Sequence, residues 1–319
     1  MFKMKIKDLN EGIRVIENYL VTNVTKGISN NGQMYLTVSL QDNTGQIEGR
    51  VWDATETDVE VFKQGNFVKV VADVIEYRSN LQLKVMTGEV LNPKDIRLDE
   101  FTMASPVKLE VLTAELDKLL SSLSDPDIQK IVERLISDHY EAFITYPAAS
   151  RLHHEYTHGL LEHTITLANL ADRIIEYYLE LYEGDWHINR DLVIAGILLH
   201  DLGKTIELSG PVLTNYTLEG KLIGHISLIN AELLKVCEEL EIKSEIPTLL
   251  SHIILAHHGK LEYGSPVIPM TKEAFLVSML DDLDAKMKLI EKALSSTNSG
   301  EFTDRLWALD SASFYKPKK

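Results

Sequence analysis

Seven side chains able to ligate a divalent cation recur through the second half of the chain: His163, the adjacent pair His200-Asp201, His225, the pair His257-His258, and Asp281. Each falls at or near the end of an apolar segment with helical spacing. A bundle of helices can aim such groups into one cavity, where imidazole nitrogens and carboxylate oxygens hold divalent metal. The chemistry this opens is hydrolysis. A divalent ion lowers the pKa of water from ~15.7 towards ~7, and two ions about 3.5–4 Å apart can hold a nucleophile and a phosphate oxygen together. No Ser-His-Asp order, P-loop or GxGxxG element competes for the role.

The chain that must place these groups has 319 residues, enough for two domains with separate cores. Apolar content of 45% and charged content of 25% are ordinary for a soluble globular protein. The single cysteine, Cys237, excludes an intrachain disulfide and any cysteine-based zinc or iron–sulfur site. Such sparse usage fits a reducing cytosol. Residues 1–14 alternate charge without the apolar stretch of a signal peptide. The longest apolar runs, such as residues 192–199, are too short to cross a bilayer. A soluble, cytoplasmic protein with no membrane partner is expected.

The net charge of −16 argues against a broadly basic, sequence-blind nucleic-acid binder. The charge is uneven, however. Residues 1–95 hold 11 Lys/Arg and 13 Asp/Glu, leaving 21 and 35 for the remainder. The first part can therefore present a locally positive groove, whereas the acidic remainder needs metal to approach a phosphate.

Periodicity divides the chain in the same place. Residues 18–25 and 34–41 are rich in β-branched and aromatic types and flank the turn Ser29-Asn30-Asn31-Gly32. A second turn at Asp42-Asn43-Thr44-Gly45 leads into 46–52, where Ile47, Gly49 and Val51 alternate with Glu48, Arg50 and Trp52. Residues 67–77 and 81–89 make another pair, and 56–64 read as a short helix between the third and fourth strands. That order is the order of an OB-fold, a small barrel that often binds single-stranded nucleic acid. The segment LQDNTGQIEGRVWD resembles the OB-folds of the tRNA-anticodon and replication-protein type. Residues 93–106 are a polar connector with two prolines. Beyond it the apolar period is 3.6, with at least seven helices over 109–123, 128–142, 160–182, 192–201, 226–240, 246–256 and 272–294. Asp125-Pro126 reads as N-cap and first helical residue. The expected fold class is multidomain α+β: an OB-fold barrel at 1–92, a linker at 93–106, an all-α bundle at 107–295, and a tail at 296–319.

The strongest local signal is Leu198-Leu199-His200-Asp201-Leu202-Gly203-Lys204, preceded 37 residues before His200 by His163 and followed 80 residues after Asp201 by Asp281. This order resembles the HD-domain metal-dependent phosphohydrolases over about residues 155–295. GHISLINAELL, with His225, and LAHHGKLEYGSP, with His257-His258, resemble the extra histidines of the two-metal phosphodiesterases of that group. The resemblance implies that Asp201 bridges two ions, with His163, His200 and Asp281 completing one site and His225, His257 and His258 the other. Asp281 and Asp282 compete for one role, and the family spacing to Asp284 favours Asp281. Oxygen and nitrogen ligands without sulfur suit Mn, Fe, Co, Ni or Zn. Manganese is the expected metal, as one or two ions per chain.

Other charged and imidazole groups divide between chemistry and structure. Lys204 is either a cation favouring a helix C-terminus or a phosphate contact, and its place beside the metal residues favours the latter. His154, in RLHHEYTHGLLEH, is a candidate to orient substrate or donate a proton. His252 lies in the apolar run LLSHIIL and reads as a core histidine, or one that supports a ligand, rather than as a ligand itself. His139 and His187 read as surface residues. In the barrel, Tyr35, Trp52 and Tyr77 are candidate stacking residues, and Lys26, Arg50, Arg78 and Lys84 candidate phosphate contacts. For each aromatic a place in the barrel core is at least as good a reading, and for Trp52 the alternation with Val51 and Ile47 also allows the outer face.

An OB-fold, a linker and an HD domain in a chain of this length resemble the YhaM-type 3′-to-5′ exoribonucleases, and the likeness extends to DDLDAK and to FTDRLWALDSASFYKP in the tail. It implies hydrolysis of single-stranded RNA, with DNA as a further substrate, from the 3′ end to nucleoside 5′-monophosphates by metal-activated water. Where such enzymes often read two glycines before the LLEH element, this chain has His158-Gly159. Two other readings stay open: a nucleotide or cyclic-dinucleotide phosphohydrolase of the HD type, and a non-catalytic single-strand or replication-origin binding factor. RNA-versus-DNA preference stays open too, and so does assembly into a homo-oligomer.

Overall fold

The alternation at 46–52 is the pleat of a strand: Ile47, Gly49 and Val51 are buried while Trp52 is exposed and Glu48 and Arg50 are partly so. The computed structural model describes residues 4–78, 80–92, 96–97, 100–102, 105–148, 156–183, 186–211 and 214–318. They fall into two units, Met1–Ala104 and Ser105–Lys319.

In the first unit β1 (Arg14–Ile28), β2 (Met34–Asp42), β3 (Gly45–Val51), β4 (Phe67–Tyr77) and β5 (Asn80–Val90) close into a barrel in the order β1-β2-β3-β5-β4. All neighbours are antiparallel except β3 and β5, which are parallel. Helix α1 (Glu56–Val61) connects β3 to β4, and its start is fixed by a reciprocal Thr55–Asp58 capping box. This is OB-fold topology. The first strand is longer than its β-branched stretch suggested, because one strand serves two ladders. Residues 14–20 pair with β4 and 20–28 with β2, with a register shift between Val21 and Asn23. An irregularity of that kind bends a strand sharply enough to close a small barrel. Part of the expected connector is built onto the barrel as well. Phe101 is buried, its ring lies edge-on to Phe67 at 4.9 Å, and its carbonyl accepts from the Gln41 amide at 2.9 Å. An aromatic ring in a polar segment finds burial where it can.

In the second unit the helices are α2 (Leu109–Ser121), α3 (Pro126–Thr145), α4 (Gly159–Leu181), α5 (Arg190–His200), α6 (Lys204–Glu207), α7 (Leu218–Leu222), α8 (His225–Glu239), α9 (Ile246–Ala256) and α10 (Lys272–Ser295). The seven helices expected from periodicity are all present. The short α6 and α7 carry too few residues to show a period. Helix α5 is buried from Asp191 to His200 and packs against α3, α4, α8, α9 and α10, so its C-terminal His-Asp pair emerges in the middle of the bundle. No helix among the described residues is long and apolar enough to cross a membrane.

The position of α5 is pinned by a buried carboxylate. Asp191 accepts from the Ser124 and Asp125 backbone N–H groups, both at 2.7 Å, and from the Ser124 hydroxyl at 2.9 Å. Asp191→Ala leaves these donors unsatisfied at the α2–α3 turn. A loss of about 2–4 kcal/mol is expected, since bonds to charged acceptors are the strong ones. Urea unfolding followed by helix circular dichroism measures it.

Candidate metal centre and nucleic-acid groove

Five helices converge on Asp201. His163 comes from the first turns of α4, His200 ends α5, His225 opens α8, His257 and His258 follow α9, and Asp281 projects from the middle of α10. His163, His200, Asp201 and His257 are at most 2% exposed. The two oxygens of Asp201 face different partners. Oδ2 lies 3.4 Å from His200 Nε2 and 3.8 Å from His163 Nε2, while Oδ1 lies 3.5 Å from His225 Nε2 and 3.9 Å from His257 Nε2. Asp281 Oδ1 closes the first group at 3.2 Å from His163 Nε2 and 3.9 Å from His200 Nε2. His225, His257 and His258 form the second group, with ligand atoms within 4.8 Å of one another. Asp282, by contrast, points outward and pairs with Lys286.

The second nitrogen of every ring is already committed. His200 Nδ1 meets the Ile197 carbonyl at 2.8 Å, His257 Nδ1 the Ile254 carbonyl at 2.7 Å, and His258 Nδ1 the Tyr263 carbonyl at 2.9 Å. His163 Nδ1 meets Asp284 at 2.7 Å and His225 Nδ1 meets Glu207 at 3.2 Å. Acceptors on Nδ1 fix the tautomer with its lone pair on Nε2, the arrangement that prepares an imidazole for metal. Among the described residues His200 Nε2, His225 Nε2, His257 Nε2 and Asp201 Oδ1 are buried with no hydrogen-bond partner. Buried polar atoms rarely go unpaired. Four of them aimed at one space fit a divalent ion.

Charge supports the same reading. Burial, and then the neighbouring His258 and His200, push His257 well below the ordinary imidazole range, which keeps its ring neutral. Burial alone would raise Asp201, but Lys204 and His200 hold it well below the usual carboxylate range. Lys204 donates to Asp201 Oδ2 at 2.7 Å and is kept charged by it against its own burial. His163 departs from this pattern: burial works against its charge, yet Asp281 and Asp284 hold its pKa up at about 9, so a metal ion at Nε2 would have to displace a proton.

Three acids outside the sequence-based set support the cluster. Asp284 orients His163 from one helical turn beyond Asp281. Glu207 receives both the backbone N–H and Nδ1 of His225. Glu162, 4% exposed, accepts from the Tyr156 hydroxyl at 2.8 Å and from Lys288 at 3.0 Å, tying the start of α4 to α10. The spacing of Asp284 after Asp281 was the one signal available for these.

The remaining histidines divide. His154 lies outside the described residues. His158 has φ +70° and its ring bonds the Ile144 carbonyl. A left-handed backbone at this position explains why glycine suits it. His252 accepts from the Met270 N–H at 2.9 Å, a structural role, and His187 is exposed. His139 is not a surface residue. Its side chain is 15% exposed and bridges Glu232 on α8 to Thr205 on α6, because an imidazole on α3 is long enough to span both.

On the barrel, Tyr35, Arg50, Trp52 and Tyr77 line one groove of about 560 Å³, together with Ser29, Asn30 and Asn31 of the β1–β2 turn, and Gln82. This is the β2–β3 face with the β1–β2 and β4–β5 ends, where OB-folds hold oligonucleotides. Trp52 and Tyr77 are each half exposed, so neither belongs to the core. The Arg50 guanidinium stands 5.3 Å from the Tyr35 ring centre, and Arg78 stands 5.3 Å from that of Tyr77. Lys84 is exposed and opposes Arg50 in register. Lys26 opposes Leu36, on the other face of β1 and β2 from Tyr35, and so does not share the groove.

A family model described as HD domain matches residues 160–286. The chain is 43% identical over 299 residues to a curated protein called 3′-5′ exoribonuclease YhaM from Geobacillus sp. (strain WCH70), covering 93% of this chain and 90% of that one. It is also 43% identical over 307 residues to the protein of the same name from Bacillus subtilis (strain 168), covering 96% of each. Among solved structures, 30% of the chain is similar to the whole of the second OB-fold domain of replication protein A from Methanococcus maripaludis, at 24% identity and a TM-score of 0.24.

Proposed function

We infer that this chain, which belongs to the YhaM family of 3′-5′ exoribonucleases, removes nucleotides from the 3′ end of single-stranded RNA and releases nucleoside 5′-monophosphates. The observation that carries this reading is the split environment of Asp201: one oxygen among the imidazoles of His163 and His200, the other among those of His225 and His257. A bound divalent pair would supply a water of lowered pKa and a clamp for the scissile phosphate. The residues proposed to hold it are His163, His200, Asp201 and Asp281 on one side, and Asp201, His225, His257 and His258 on the other. Manganese is our favoured occupant among the Mn, Fe, Co, Ni and Zn that a donor set of oxygen and nitrogen without sulfur suits.

The side chains divide the remaining work. Lys204 Nζ, 2.7 Å from Asp201, is placed to neutralise a phosphate oxygen beside the cluster. The buried walls of α4, α5 and α9 keep bulk water from the reacting centre. Glu207 and Asp284 keep His225 and His163 turned inward. The barrel groove holds the strand upstream by stacking on Trp52, Tyr35 and Tyr77, with Arg50, Arg78 and Lys84 meeting phosphates. Tethering then raises the local concentration of the 3′ end at the cluster. Single-stranded DNA is a secondary substrate in this reading. A cytoplasmic setting and self-association belong to the same proposal.

The test is a gel of 3′- and 5′-labelled single-stranded RNA incubated with Mn, with and without chelator. A 5′-labelled ladder shortening from its far end, immediate mononucleotide release from the 3′ label, and no reaction with chelator are expected. Turnover confined to mononucleotides or cyclic dinucleotides would replace this reading with the nucleotide-phosphohydrolase one. Absence of any turnover would replace it with the single-strand binding one.

A further inference from the structure

Gly27 on β1 stands directly opposite Tyr35 on β2. A Cβ built on Gly27 would lie 2.4 Å from Tyr35 Cζ, 2.6 Å from its Oη and 2.7 Å from Cε1. The phenol ring therefore lies folded across the glycine, in the space that any other side chain would fill. Backbone conformation gives no reason for glycine here, since Gly27 is not among the residues of positive φ. Glycine inside a strand packs nothing and weakens the ladder, and it commonly marks a point of close approach.

We propose that Gly27 is a positioning residue for the RNA strand: its empty Cβ position lets Tyr35 lie flat as a floor of the barrel groove, available for a nucleobase to stack on. This rests on the groove being the RNA-binding surface, as proposed above. The rest of the ring's surroundings hold it in that pose. Trp52 lies 5.2 Å away at 41°, too close for a base to enter between the two rings, so bases stack on the outer surface of the pair. Arg50 stands 5.3 Å from the ring centre and is itself tethered through Nε to Glu48 at 3.2 Å. Glu48 also receives the Gln82 amide at 2.9 Å, which braces the anchor from β5. Arg50 and Glu48 on β3, and Trp52 directly after it, flank the ring from that one strand. A side chain at 27 takes the space the ring occupies and drives it away from β1, into the groove. The atoms met belong to the far end of a rotatable side chain, so the barrel tolerates the change while the floor of the groove is lost.

The experiment is a double-mutant cycle in the full chain: Gly27→Val, Tyr35→Ala, and both together. Affinity for a fluorescent single-stranded RNA is measured by anisotropy at fixed salt with chelator present, and each variant is melted. Tyr35→Ala is expected to weaken binding roughly tenfold, the scale of one stacked base. Gly27→Val should weaken it by a similar factor, with a melting temperature equal to or above that of the parent, because valine suits a strand better than glycine. Adding Gly27→Val to Tyr35→Ala should change the affinity by less than about twofold, since coupling vanishes once the shared partner is gone. Unchanged affinity for Gly27→Val alongside a weakened Tyr35→Ala would overturn the proposal and leave the groove standing. So would an equal loss from Gly27→Val with and without the Tyr35 ring. Unchanged affinity for Tyr35→Ala would overturn both the proposal and the groove reading beneath it.

Discussion

Replacing His200 and Asp201 together by alanine will lower hydrolysis of single-stranded RNA by roughly four orders of magnitude or more, a loss of about 5 kcal/mol in transition-state stabilisation. Binding of the same RNA will stay within about twofold. The first result follows from Asp201 facing four imidazoles through two oxygens, so that its loss removes an acceptor from both halves of the cluster. The second follows from the aromatic and cationic groove belonging to a separate compact unit with its own core. Asp201→Asn is the sharper companion. It keeps the shape but turns an amide NH2 towards one group of histidines, so one half of the cluster loses its acceptor. Loss of the carboxylate also strands Lys204, 13% exposed and paired with Asp201, and breaking a buried pair destabilises. Melting curves of each variant must therefore accompany the rates. If RNA binding vanished in a folded His200→Ala/Asp201→Ala protein, the division of labour between the units would be wrong.

Gly203→Ala, a single methyl group outside the ligand set, is expected to lower activity about 10- to 100-fold, the scale on which supporting residues tune a metal site. A Cβ at 203 would lie 2.2 Å from the His225 carbonyl oxygen, 2.9 Å from its carbon and 3.1 Å from its Cα. All three are backbone atoms, so nothing can rotate away and the start of α8 must retreat. His225 Nε2 then leaves its 3.5 Å approach to Asp201 Oδ1 and loosens from Glu207. A stability loss of about 1–3 kcal/mol accompanies it, as for other overpacked sites. The activity deficit should shrink at high Mn concentration if the ring is displaced rather than lost. Parental rates at limiting Mn would show that the His225 backbone does not need this space.

How far the sequence foretold these features depended on whether the signal was local. Adjacent His200-Asp201 at the end of an apolar helix is a local pattern, and the structure places the other five named ligand candidates around it. Strand alternation at 46–52 likewise offered the outer face for Trp52 beside a core place, and the barrel leaves it half exposed. What stayed hidden was relational. Glu207 is an unremarkable acid in KTIE until α8 begins against it, and Glu162 becomes a tie only when α10 brings Lys288 alongside. His139 looked like a surface residue because neither Glu232 nor Thr205 is near it in the chain. The purpose of Gly27 needs the β1–β2 register, which no single strand carries. Lys26, chosen for its charge, fell on the wrong face by the same register.

The acceptors behind the imidazoles differ in kind, and that difference sets how the cluster can decay over generations. Behind His200, His257 and His258 stand main-chain carbonyls, which no codon change can remove. Behind His163 and His225 stand Asp284 and Glu207, each one nucleotide substitution from a neutral side chain. Erosion under relaxed selection would therefore begin with those two rings, one in each half, and would produce descendants with weakened loading at both positions before any ligand itself was lost.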